Sequence, residues 1–238
     1  AVANRVSSDL SLLYGHPGQA GFGVLDQFYL VDGEVAALAL ADLDADGRDA
    51  VIPLHRASGD FSVRLSGPDG ILRRPSFYAM GPIPNSLRVR DVNQDGKLDV
   101  LTANLGRDSI EEGTLSVRLG DGAGGFGPAM LAVLPPEMNG RLFAVEVADF
   151  DGDGKLDAAA GFFDCRLAFF KGKGDGTLTF TQAHFFTYES RVLASGDFDG
   201  DGDVDLAGAG YAGDVVVVEN QGDLLTTAQL TRQDFPPP

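Results

Sequence analysis

The stretch Asp149-Phe150-Asp151-Gly152-Asp153-Gly154-Lys155-Leu156-Asp157 occurs four times along the chain, with substitutions. Asp91-Val92-Asn93-Gln94-Asp95-Gly96-Lys97-Leu98-Asp99 and Asp197-Phe198-Asp199-Gly200-Asp201-Gly202-Asp203-Val204-Asp205 match it over all nine positions. The copy Asp42-Leu43-Asp44-Ala45-Asp46-Gly47-Arg48-Asp49 is one residue short. Side-chain oxygens fall at positions 1, 3, 5 and 9. The backbone carbonyl of position 7, carried by Arg48, Lys97, Lys155 or Asp203, is available as a further donor. Such a set supplies the flexible cage of oxygens that Ca²⁺ takes, whereas Mg²⁺ demands a stricter octahedron. Glycine at position 6 turns the chain sharply with φ > 0, where a Cβ would be strained. Without a cation the carboxylates repel one another, so either their pKa values rise or a divalent ion fills the space.

The first six positions also suit an EF-hand loop, which requires a bidentate Glu at position 12 and a helix on either side. Position 12 here is Pro53, Thr102, Ala160 or Gly208. The flanks, 142–148 and 156–163, are short apolar runs bounded by Asp and Gly, which read as buried strands. The Asp at position 9 therefore takes the place of the missing Glu. Asp-Gly pairs also make plain hairpin turns, but three aligned nine-residue matches argue for metal. Calcium is expected at 91–99, 149–157 and 197–205. A fourth site is expected at 42–49, with Asp49 swinging in from position 8 or a water replacing it.

The loops begin at 42, 91, 149 and 197, spacings of 49, 58 and 48 residues, and a period of this size marks a propeller or an array. Each unit has room for four strands. In the third they are expected near 142–148, 156–163, 165–171 and 177–186, called A to D. A Gly-rich turn between C and D recurs at 15–22, 66–70, 120–126, 172–176 and, degenerate, 220–223. There are thus five C–D turns for four Asp loops. Ala1-Val2-Ala3-Asn4 resembles Leu101-Thr102-Ala103-Asn104, which places residue 1 inside a strand B. The expected units are 1–31 (incomplete), 32–81, 82–134, 140–188 and 189–232, followed by a Pro-rich tail at 233–238.

These repeats resemble the FG-GAP or VCBS type, the calcium-bearing blades of integrin α-subunit propellers and of many bacterial and fungal extracellular proteins. The resemblance runs along essentially the whole chain. Its Phe-Gly element survives as Phe22-Gly23 and Phe126-Gly127, while its Gly-Ala-Pro element is absent. It implies an all-β fold, a β-propeller of four-stranded antiparallel blades, here four complete blades plus one incomplete N-terminal blade. Family propellers usually close with seven blades, about 350 residues at this period, so this chain falls short of that ring; the missing strands would come from a longer parent chain, from another chain, or not at all, the last requiring a five-bladed ring with one incomplete blade.

Composition agrees: 44% hydrophobic residues with 32 Gly and 12 Pro suit a turn-rich β protein. The net charge of −17 argues against nucleic acid or an anionic membrane as partner. Four Ca²⁺ ions would offset eight of those charges. No apolar run is long enough to span a bilayer. Low-affinity calcium loops suit millimolar calcium, so an extracellular or cell-surface location is expected. The single cysteine, Cys165, lies in an apolar stretch and reads as a buried inert thiol.

Catalytic signatures are scarce. Gly120-x-Gly122-x-x-Gly125 matches a dinucleotide fingerprint, but Phe126-Gly127-Pro128 follows where a helix N-terminus is required, so it reads as a turn. His16, His55 and His184 are scattered singly, and no pair of the 35 acids is marked for glycosidic chemistry. The pairs Phe162-Phe163, Phe169-Phe170 and Phe185-Phe186 read as core between blades rather than as a sugar platform, and Trp is absent.

In an up-and-down blade the A–B and C–D turns share one face of the disc, and the B–C and D–A loops share the other. The second unit is lengthened at 106–113 and 134–140, both on the face opposite the metal. Function tends to reside on loops held by a rigid scaffold, so Arg107, Asp108, Glu111, Glu112, Glu137 and Asn139 are candidate contacts for an unidentified protein or glycan ligand. The expected role is a non-catalytic adhesion or ligand-recognition scaffold with structural calcium. Two alternatives are an accessory module of a larger secreted carbohydrate-active enzyme and a lectin with glycan sites between blades.

Overall fold

The computed structural model describes residues 2–4, 9–15, 22–30, 33–107, 113–138, 140–185, 190–210 and 215–223. Its elements are strands, apart from a 3₁₀ turn at Pro136–Met138. The first sheet holds β1 (Val2–Asn4), β2 (Asp9–Gly15) and β3 (Phe22–Leu30); the second holds β4 (Val35–Ala41), β5 (Ala50–His55), β6 (Asp60–Val63) and β7 (Ser76–Ala79). The third is built from β8 (Pro84–Arg90), β9 (Asp99–Asn104), β10 (Thr114–Arg118) and β11 (Met130–Ala132). The fourth takes β12 (Leu142–Ala148), β13 (Asp157–Phe162), β14 (Arg166–Gly172) and β15 (Leu178–Phe185), and the fifth β16 (Val192–Gly196), β17 (Asp205–Ala209) and β18 (Val215–Val218).

Every ladder is antiparallel and joins strands adjacent in sequence, so each sheet is a meander. The sheets do not join into one closed sheet among the described residues. The fourth strand expected for the last unit would lie beyond residue 223, outside the described residues, as does the tail at 233–238.

The sheets pack face to face in chain order. The first strands lie beside one another, β1 by β4, β4 by β8, β8 by β12 and β12 by β16. Side chains alternate across a strand, which lets one strand feed two cores. Ala158 and Ala160 of β13 and Phe170 of β14 face the third sheet, where they join Leu101, Leu115 and Val117. Ala159, Leu167 and Phe169 face the fifth and join Leu193, Leu206 and Val218. The second and third sheets share Ile52, Leu54 and Phe61 with Leu87, Val89 and Val100. Phe126 of the Phe-Gly element packs edge-on against Phe61 and Tyr78, each with ring centroids 5.2 Å away.

Two expectations about apolar residues are corrected. Phe162, Phe169 and Phe170 are buried, but Phe163 is 44% and Phe185 76% exposed; Phe186 lies outside the described residues. Phe163 falls just past the end of β13, and Phe185 ends an outermost strand. Cys165 is half-buried rather than buried, because it occupies the turn between β13 and β14 with φ of 66°.

A register shift recurs at the start of three first strands, between Val35 and Ala37, Pro84 and Ser86, and Leu142 and Ala144. The bulged residues are Ala36, Asn85 and Phe143. A bulge re-aims the side chain it carries, and these three lie at the end of the sheets opposite the Asp loops.

Candidate metal centre

Each Asp loop joins the first and second strands of a sheet: 42–49 follows β4, 91–98 follows β8, 149–156 follows β12 and 197–204 follows β16. The loops curl around the position-1 carboxylate. Asp42 accepts the N–H groups of Asp46 and Gly47, Asp91 those of Asp95 and Gly96, Asp149 that of Gly154, and Asp197 those of Gly200 and Gly202. Position-6 glycines have φ of 82°, 82°, 83° and 98° at Gly47, Gly96, Gly154 and Gly202, so the sharp turn is left-handed. The position-5 carboxylates of Asp46, Asp95, Asp153 and Asp201 accept the N–H of position 7, at Arg48, Lys97, Lys155 and Asp203 respectively.

Position 9 does more than the sequence indicates. Asp99, Asp157 and Asp205 are fully buried. One oxygen of each accepts the N–H of position 2, from Val92 at 2.9 Å, Phe150 at 3.0 Å and Phe198 at 2.8 Å. The other accepts an N–H at the end of the third strand, from Gly120, Gly172 or Asn220 at 2.7–2.8 Å. This residue therefore staples the loop to the third strand as well as facing the acidic cluster. At Gly172 a Cβ would collide with the Leu156 carbonyl, which explains the glycine there. In the 42–49 loop, Ala50 holds the corresponding place and Asp49 is exposed. Ser66, at the end of β6's extension, donates to the Asp49 carbonyl instead.

Three loops bring three carboxylates together, with one oxygen of each within 4.8 Å of the others: Asp42, Asp44 and Asp46; Asp149, Asp151 and Asp157; Asp197, Asp199 and Asp205. Asp49 is not part of the first group. The 91–99 loop has Asn93 at position 3, so Asp91, Asp95 and Asp99 form no such three-carboxylate group, and Asn93 Oδ1 accepts the Asp95 N–H. Burial pushes the carboxyl of Asp99 upward; burial, with the charges of Asp151 and Asp153 adding to it, pushes Asp157 up to about 6 against the pull of its two N–H donors. In the same loop Asp149 Oδ1 is buried with no hydrogen-bond partner among the described residues. Lys171 of β14, which the motif does not include, donates to Asp151 and lies 3.1 Å from Asp153.

The candidate ligand-face residues divide. Arg107 is exposed beside a cleft formed with Ser58 and Gly81. Glu137 sits exposed on the 3₁₀ turn, and its carbonyl accepts from Arg166 while neighbouring Met138 plugs the core. Asp108, Glu111, Glu112 and Asn139 lie outside the described residues. His55 and His184 are strand residues, with His55 Nε2 2.9 Å from Ser62 Oγ; His16 lies outside the described residues. The Gly120–Gly125 stretch is a turn in which Asp121 accepts the N–H groups of Ala123 and Gly125.

Comparison with known families finds one segment that carries two Asp loops and the strands between them. Residues 91–160 match the FG-GAP-like repeat. The match to this repeat begins at position 1 of the second loop and ends in β13, so it spans a full period and part of the next. A comparison of the sequence with curated proteins finds no match. Among solved structures the chain is similar to BBS1N in complex with ARL6DN, soaked with lead, with TM-score 0.58 and 12% identity over 84% of this chain and 56% of that one. The same complex soaked with mercury gives 0.56 and 14%, over 89% and 53%. The V. cholerae biofilm matrix protein Bap1 gives 0.49 and 16%, over 79% and 27%. At these identities the likeness concerns the fold alone, and the chain spans about half the length, or less, of the structures it matches.

Proposed function

We propose that this chain is a calcium-stabilised β-propeller segment, four complete blades plus an incomplete N-terminal one, that serves as a non-catalytic scaffold for adhesion or ligand recognition outside the cell. The observation that carries the calcium reading is the buried, unpartnered Oδ1 of Asp149 beside the carboxylates of Asp151 and Asp157. A buried anionic oxygen without a donor is costly, and a hard divalent cation removes that cost while accepting the neighbouring oxygens. Asp149, Asp151, Asp153, Asp157 and the Lys155 carbonyl would hold the ion at 149–157; 197–205 would use Asp197, Asp199, Asp201, Asp205 and the Asp203 carbonyl. At 91–99 the set would be Asp91, Asn93, Asp95, Asp99 and the Lys97 carbonyl, and at 42–49 Asp42, Asp44, Asp46 and the Arg48 carbonyl, with water in place of Asp49. The ion supplies charge neutralisation and cross-links the loop. Free calcium at a hundredfold above Kd stabilises by about 2.7 kcal/mol per site. Thermal melts in calcium and in EDTA test the reading: a melting temperature lower by several degrees in EDTA is expected, and equal values would sink it.

A further inference from the structure

Three of the four Asp loops carry a basic residue at position 7, and each pairs with the position-5 carboxylate: Arg48 with Asp46 at 2.5 Å, Lys97 with Asp95 at 3.3 Å and Lys155 with Asp153 at 3.3 Å. The loop at 197–205 has Asp203 there and contains no basic residue. A second position separates the loops further. The ladders pair Val100 with Arg118, Ala158 with Phe170 and Leu206 with Val218, so one residue on, Leu119, Lys171 and Glu219 stand opposite Asp99, Asp157 and Asp205. In the second sheet the bridge between Val51 and Arg64 puts Leu65 at the same place, opposite Ala50. This place therefore holds an apolar residue beside 42–49 and 91–99, a cation beside 149–157 and an anion beside 197–205. Lys171 reaches into its loop, where it donates to Asp151 and lies 3.1 Å from Asp153. Asp149 Oδ1 stays buried without a hydrogen-bond partner among the described residues. Glu219 acts in the opposite sense. Although the Asp201 N–H pulls it down, the Asp199 carboxyl is pushed upward by desolvation and by the charges of Asp201, Asp205 and Glu219.

We propose that the residue opposite position 9 sets the order in which these loops take calcium. Lys171 is a tethered cation that holds 149–157 against the ion until calcium is well above the level that fills 197–205, where Glu219 adds attraction instead. An ammonium bonded to Asp151 and Asp153 satisfies two of the side chains that would hold the ion, so binding there requires Lys171 to withdraw. Its side chain is 42% exposed on a flexible stem, so withdrawal into water is open to it. The charge count points the same way. Asp149, Asp151, Asp153 and Asp157 against Lys155 and Lys171 leave −4 + 2 = −2, whereas Asp197, Asp199, Asp201 and Asp205 with Asp203 and Glu219 give −4 − 2 = −6. The calcium affinity of a loop follows the charge of its ligands. As calcium falls, the fourth sheet's loop therefore empties while the fifth sheet's stays filled.

The inference rests on the reading of the loops as calcium sites, and one experiment separates the two. Calcium buffers withdraw the ion from the loaded, isotope-labelled protein while NMR follows the amides of Gly154 and Gly202, which donate to the position-1 carboxylates Asp149 and Asp197. Gly154 is expected to report half-saturation at a calcium concentration about tenfold or more above that of Gly202. Lys171→Met should lower the Gly154 midpoint about tenfold, and Glu219→Gln should raise the Gly202 midpoint about threefold. Lys173→Met removes an exposed cation two residues away and should leave the Gly154 midpoint within about twofold of the parent. Melting in calcium establishes that each variant is folded. Amides that ignore calcium in every variant would sink the calcium reading and this inference with it. If calcium binds at both loops, this inference alone is overturned by equal midpoints in the parent, by an unchanged midpoint in Lys171→Met or Glu219→Gln, or by a Lys173→Met effect as large as that of Lys171→Met.

Discussion

Asp157 has two tasks whose electrostatic demands conflict. As a staple it is buried and accepts two backbone N–H groups; as a cluster member it faces Asp149 and Asp151. Burial prevails and lifts its carboxyl from 3.8 to about 6. A folded-state value above the unfolded one means that the contribution to stability is fully present below about 3.8 and is lost as the pH rises through about 6. Without calcium this residue therefore opposes folding at neutral pH, and a bound cation, which favours the ionised carboxylate, reverses that. The gap in melting temperature between calcium and EDTA samples should widen from about pH 5 to about pH 7. A gap independent of pH over that window would contradict the assignment. That the carboxylates of positions 1 and 3 come together, with position 9 at 149–157 and 197–205 and position 5 at 42–46, was legible from the Asp spacing alone. The staple was not, because its partners at Gly120, Gly172 and Asn220 lie 15–21 residues away, and only the recurring residue at the end of each third strand hints at it.

Strands differ in how completely their two faces are covered, and the sequence carries that information unevenly. β13 and β14 lie inside the fourth sheet with another sheet on each side, so both faces are apolar and alternate residues serve different cores. β15 is the outermost strand, and its faces mix Thr, Gln and His with Phe. Phe170 and Phe185 belong to similar Phe-Phe pairs, yet one is fully buried and the other 76% exposed. The pair pattern records apolarity without recording which strand has a neighbour sheet beyond it. Phe170→Ala should cost about 3–5 kcal/mol, and Phe185→Ala should stay within about 0.5 kcal/mol. Chemical denaturation at fixed free calcium checks both; equal costs would mean that the outer strand is covered as fully as the inner ones. The strand order itself was legible from the period of the loops, because short antiparallel connections leave few alternatives to a meander.

Over the whole molecule, acidic groups collect at the Asp-loop end while Arg56, Arg88 and Arg191 gather at the other, so the net charge of −17 is unevenly spread. The loops are also joined to one another. Gln94 donates to the Gly154 carbonyl, and Asn220 donates to the carbonyls of Phe150 and Val204 at 2.9 and 3.1 Å, so adjacent clusters share a polar network. Within the 91–99, 149–157 and 197–205 loops the carboxylates repel one another. Exposed charges lose their interaction once the Debye length falls below their separation, from ~30 Å at 0.01 M salt to ~10 Å at 0.1 M. In EDTA the melting temperature should therefore rise over that range of NaCl, since screening relieves repulsion that folding concentrates. In calcium the rise should be smaller, because the ions have already neutralised the loops. Four melting curves decide the matter. A salt effect of the same size in both series would place the destabilising repulsion elsewhere than the Asp loops, and would leave the charge asymmetry without a role in stability.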